Sequence, residues 1–172
     1  MVSRMSVPTT NRQMANQPTV TYRPHWLQYV INELPLMLLF VAGLVYGGMD
    51  DMPMTKFALI FSGILFLILS YKYAYMRRIR YYIGAEQLIS EYGVLHKRVD
   101  YLELYRIVDF QTNLSPMQQL FGLKTVIVLS MDRSTPRLEM KGMKVSDDVV
   151  GLIRSRVEYN KQRKGVYEIT NR

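Results

Sequence analysis

Apolar positions fall into two patterns along this chain. From Leu34 to Met49, and again from Phe57 to Tyr71, they run without a single charge. Beyond Arg77 they break into short β-branched and aromatic runs set among charged residues. The two uncharged runs are separated by the acidic link Asp50-Asp51-Met52-Pro53 and by Met54-Thr55-Lys56. A domain of this size has no core deep enough to bury two such segments side by side, so they predict a hairpin of transmembrane helices. Each falls short of the roughly 20 residues a bilayer needs. Interfacial side chains extend them: Trp26 and Tyr29 before the first, and Tyr71, Lys72 and Tyr73 after the second.

Short runs at about ten-residue spacing, punctuated by Gly, Asn, Ser or Pro, predict antiparallel strands. They are Arg80–Ile83, Gln87–Tyr92, Val94–Leu104, Arg106–Thr112, Lys124–Ser130 and Arg137–Lys141. Between the fourth and fifth, Leu114 to Gly122 has Ser115 at a cap position, Pro116 at the first helical position and a closing Gly, which predicts a turn or two of helix. From Val145 onward the chain predicts a helix capped by Ser146, with Asp147 and Asp148 at the positive end of its dipole. Val149, Val150, Ile153, Val157 and Tyr159 form its apolar stripe, and Arg154, Arg156, Lys161, Arg163 and Lys164 its polar side. Five to seven strands followed by one amphipathic helix is the element order of a pleckstrin-homology-like (PH-like) fold.

Basic residues set the expected orientation. Arg4, Arg12 and Arg23 precede the hairpin, and Lys72, Arg77, Arg78 and Arg80 follow it. The link carries Asp50 and Asp51 against Lys56 alone, so both termini are expected in the cytoplasm and the link outside. The net charge of +8 sits mostly beyond Arg77 and suits the anionic headgroups that the tether already brings near. No arginine-rich block points to nucleic acid. Gly43 and Gly47 on the first helix, and Gly63 on the second, are small positions at which helices can approach closely, within the hairpin or between subunits.

Chemistry is sparse. The chain has no cysteine and two histidines, His25 and His96. Metal-ligand pairs, a phosphate-binding Gly-rich loop and a nucleophile elbow are all missing from the sequence, so no catalytic residue, metal or cofactor is expected. Glu33 stands near the end of the first apolar helix, where a carboxylate can reach the interface.

Tyr82-Ile83 with Glu86 and Leu88, Gly93-Val94-Leu95, Leu102 to Phe110, and Leu120-Phe121-Gly122-Leu123 followed by Thr125 to Val128 resemble, in that order, the bacterial PH-like domain of membrane proteins with paired N-terminal helices. Gly93, Leu104, Arg106, Ile107 and Gly122 mark the resemblance. The family usually has Thr-Asp where Gly84-Ala85 stand, Arg at Gln87 and Pro at Glu103. The resemblance implies a membrane-anchored PH-like barrel or sandwich and transfers no ligand. The expected organisation is a flexible tail (1–21), a transmembrane hairpin (22–75), a cytoplasmic PH-like domain (76–165) and a C-terminal tail (166–172). The expected function is a non-enzymatic assembly or scaffold module of a bacterial inner-membrane complex, with membrane lipids and a homo-oligomeric or other membrane-complex protein as partners. The alternatives are a pore-like or transport accessory, and an anionic-lipid-binding module.

Overall fold

The computed structural model describes residues 17–49 and 53–165. Most of the expected N-terminal tail, the acidic pair Asp50-Asp51 and the C-terminal tail lie outside the described residues. The two uncharged runs form helices α1 (Trp26–Gly47) and α2 (Thr55–Arg78), both long and apolar enough to cross a membrane. They are not core helices. None of the most apolar stretch of α1 is buried, and only 17% of that of α2.

Their contact is built on small residues. A Cβ on Gly43 would collide with the Ser62 hydroxyl, and one on Gly47 would come within 2.6 Å of the Leu59 side chain. Gly63, expected at a helix contact, has nothing within 4 Å and faces outward. Ser62, one position earlier, is the residue that turns toward α1, and its hydroxyl is buried without a hydrogen-bond partner.

Among the described residues, seven strands make two antiparallel sheets. The first contains β1 (Val20–Tyr22), β2 (Arg80–Ile83), β3 (Gln87–Tyr92) and β4 (Arg98–Glu103) in that order. The second contains β5 (Ile107–Asn113), β6 (Leu123–Ser130) and β7 (Arg137–Lys144). A single 3-10 turn, Leu104–Arg106, carries the chain from β4 to β5 without the two strands pairing. The fold is therefore an open sandwich and not a closed barrel. Inward residues such as Ile83, Leu88, Leu102, Val126, Val128 and Met140 are almost wholly buried between the sheets. Helix α4 (Val149–Lys164) lays Val149, Ile153 and Val157 against this core, next to the Leu104 corner. The short helix α3 (Pro116–Leu120) joins β5 to β6 and carries a full capping box between Ser115 and Gln118.

Four expectations shift. The tail expected to reach residue 21 stops sooner, because Val20–Tyr22 adds a strand to the edge of β2 in register with Tyr81 to Ile83. The hairpin does not end at residue 75. Helix α2 continues through Arg78, and only Ile79 separates it from β2. The strand expected from Val94 starts at Arg98, since Gly93 at φ 115° turns the chain so tightly that a Cβ there would collide with the His96 carbonyl. Asp148, not Ser146, caps α4, accepting from the Gly151 amide at 2.9 Å.

Candidate functional site

Chemistry-bearing residues concentrate where the hairpin meets the sandwich. His25 caps α1 through Nδ1, which accepts from the Leu27 amide, and its own amide donates to the Gly142 carbonyl of β7 at 2.9 Å. Gly142 has φ +69°, and a Cβ there would press on Gln28 at 2.7 Å, so glycine lets the helix seat on the strand. Gln28 is buried in the seat. Its oxygen accepts from Gln118 of α3 at 2.8 Å, and its nitrogen donates to Asn32 at 2.8 Å. Gln118 also donates to Thr125 of β6 at 2.8 Å. A continuous amide chain thus ties α1 to the second sheet, while α2 runs directly into the first. No local pattern marks Gln28 and Gln118 as partners, because they lie 90 positions apart.

Above this seat the helices are cross-linked. Tyr29 donates to the Leu69 carbonyl at 2.8 Å and meets Tyr73 edge-on at 5.3 Å. Lys72 donates to Glu33 at 2.7 Å. Glu33 is thereby neutralised by a partner across the hairpin. A cavity of about 350 Å³ opens here, with Tyr29, Glu33, Lys72, Met76 and Lys141 in its wall. Trp26 and Tyr71 are half exposed on the outer surface.

A second, smaller cavity of about 180 Å³ lies at the exit of α2, walled by Arg78, Arg80, Glu91, Gly93 and Lys97. Strand register explains the grouping: Arg80 pairs with Glu91 and Tyr92 with Arg98, which brings the Gly93–Lys97 turn beside the end of α2. Lys97 contacts Glu91 at 3.1 Å, and Arg98 contacts Asp100 at 3.0 Å. Tyr92 donates to Asp100, and burial together with that bond pushes its pKa up to about 12, so it stays a neutral donor. Leu95 at the tip of the turn is 91% exposed.

Arg106 does not join Lys97 and Arg98. It sits at the opposite end of the sandwich, 2.8 Å from Asp132. Ser134 donates to Asp132 through its hydroxyl and its amide, holding that carboxyl down at about 2. The other motif residues are structural. Leu104 and Ile107 are buried at the sheet corner, and Gly122 adopts φ +63° at the end of α3.

Arg156, expected on the polar side of α4, is only 3% exposed. It donates to the carbonyls of Ile83 and Gly84, and at 2.9 Å to Pro18, while Asn160 donates to Ala85 at 2.7 Å. Burial lowers its pKa. The available signal was spacing: Arg156 and Asn160 continue the stripe of Val149, Ile153 and Val157 at three- and four-residue steps. Among the described residues, no group of three or more His, Asp or Glu could hold a metal ion.

A model of the bacterial PH domain family matches residues 27–157, which takes in most of the hairpin and nearly all of the sandwich. No curated protein and no solved structure matches the chain.

Proposed function

The chain belongs to the bacterial PH domain family, and on that premise we propose that it is a non-enzymatic, membrane-anchored assembly module of a bacterial inner-membrane complex. Its hairpin spans the bilayer, and its sandwich lies in the cytoplasm with both termini. The observation that carries this reading is the uncovered apolar surface of α1 and α2. Leu38, Val45, Phe57, Ile60, Phe66 and Leu67 are each half exposed or more. Leaving each such side chain in water forfeits about 1.5–3 kcal/mol, so a hydrocarbon phase is their fitting environment.

Assembly is supported by what the fold leaves open. Strands β4 and β5 are neighbouring sheet edges, and Tyr101 and Val108 stand exposed beside them. Such edges accept added strands or apolar partner segments. The outward notch at Gly63 fits close approach by another helix.

The anionic-lipid reading rests on one specific feature, the basic cavity at the α2 exit. Arg78, Arg80 and Lys97 share it with a single acidic residue, Glu91. It fits a phosphate headgroup as a supporting contact to the anchor. A pore-like role has less support: among the described residues the Glu33–Lys72 pair stands at the sandwich end of the hairpin, and Ser62 is the buried polar side chain further along it.

The anchor is tested by extraction and labelling. The chain is expected to stay with membranes in alkaline carbonate, a reporter after Arg172 to be cytoplasmic, and a tag at Asp50-Asp51 to be labelled from outside. Release by carbonate, or external labelling at Arg172, would overturn the reading.

A further inference from the structure

We propose that α3 is a third membrane contact, a short hook whose apolar face sits in the headgroup–acyl boundary of the leaflet at which α1 begins. The inference rests on the transmembrane reading of the hairpin and adds to it a fixed pose of the sandwich against the bilayer.

The first observation is an inverted side-chain arrangement. In a solvated loop, apolar residues turn inward and amides outward. Here Gln118 is 5% exposed and points in toward Gln28 and Thr125. Leu114, Met117, Leu120 and Phe121 point out, with Leu120 at 75% exposure. Val145, held beside them by the hydrogen bond its backbone N–H donates to the Gly122 carbonyl at 2.9 Å, adds a fifth exposed apolar group.

The second is charge. The sandwich is strongly charged, yet no charged residue occurs from Phe110 to Leu123. Insertion of this segment would bury no ion, and Met117, Leu120 and Phe121 are the kinds of side chain that anchor interfacial segments.

The third is depth. The Gln28–Gln118 bond fixes α3 at the level of Gln28 on α1. From Gln28 to Gly47 the helix rises about 28 Å, close to a hydrocarbon core of about 30 Å. If Gly47 marks one boundary, α3 lies at the other, beside the half-exposed Trp26. The apolar face of α3 therefore lies at the same depth as the beginning of the hairpin's apolar surface.

The chain has no cysteine of its own, so single labels report one site each. Full-length protein carrying Leu120→Cys, Met131→Cys or Leu67→Cys is labelled with an environment-sensitive fluorophore and reconstituted into vesicles of phosphatidylethanolamine and phosphatidylglycerol. Quenching is read with lipid-attached nitroxide and with aqueous iodide. All three side chains are exposed, so the substitutions leave the fold intact. Leu67 lies on α2, and Met131 lies at the far end of β6 from α3. The expected result is a blue-shifted label at 120, quenched by the lipid nitroxide and shielded from iodide relative to the label at 131. If 67 is lipid-quenched while 120 behaves like 131, the hook is wrong and the hairpin reading stands. If 120 is shielded from iodide without lipid quenching, a protein contact covers the face and the hook is again wrong. If 67 itself escapes lipid quenching, the transmembrane reading fails and takes the hook with it.

Discussion

Removing the Arg156 guanidinium should release the N-terminal strand before it unfolds the sandwich. The side chain is 3% exposed and joins three carbonyls, two at the end of β2 and one at Pro18, just ahead of β1. A hydrogen bond from a charged donor contributes about 1.5–3 kcal/mol. Three of them exceed the net effect, because the guanidinium also gives up hydration on burial, as its lowered pKa records. Arg156→Met keeps much of the length and removes both terms, so a global loss of about 3 kcal/mol is expected. The bond to Pro18 belongs to β1 alone. Losing about 1.5 kcal/mol there speeds amide exchange in residues 19–22 by about tenfold relative to Val126–Val128 in the core. Arg156→Lys keeps the charge but lacks the planar fork, and should fall between the two. The assay is hydrogen exchange by mass spectrometry on the full chain in detergent. Equal acceleration in β1 and β6, or none in β1, would refute the clasp.

Other expectations follow from single contacts. Gly47→Leu should lower the thermal midpoint in detergent by overpacking against Leu59, at a cost of about 1–3 kcal/mol, whereas Gly43→Ala combined with Ser62→Ala should be nearly neutral because the clash is with the Ser62 hydroxyl. Gln28→Leu leaves one N–H of the buried Gln118 amide unpaired and should cost about 1–3 kcal/mol, with a double-mutant cycle against Gln118 showing strong coupling. Asp132 has a folded pKa of about 2, below its unfolded value of about 3.9, so its contribution is present above the latter and is lost as pH falls through the former; Ser134→Ala should raise the value in a carboxyl NMR titration. Changing Arg77, Arg78 and Arg80 to Gln should weaken adsorption of the chain's soluble part to anionic vesicles in a salt-dependent way while leaving complex size unchanged.

The hairpin was legible because uncharged runs longer than a core helix admit few environments. The Ser115 cap and the strand runs from Arg80 to Lys141 were legible for a related reason, since caps and period-two runs are local signals. Long-range polar pairing was not. Arg156 and Asn160 occupy stripe positions that apolar residues usually fill, and their partners are backbone carbonyls that no side-chain pattern marks. Strand β1 was read as tail because three residues carry too little pattern to separate from coil. Arg106 follows Lys97 and Arg98 closely in sequence, but strand direction sends it to the other end of the sandwich. Gly63 shows the limit of spacing arguments on a helix: one position, about 100°, separates the packed Ser62 from an outward glycine.

Whether the chain is an assembly module or a solitary anchor is decided by the mass and composition of the complex extracted in mild detergent. A discrete species is expected, larger than one 20.2 kDa chain with its detergent, either several copies or this chain with another membrane protein. That species should survive the triple arginine change and be lost when Tyr101 and Val108 at the open edges are both changed to Lys. A monomer across the concentration range, under detergent conditions that preserve the fold, would contradict it.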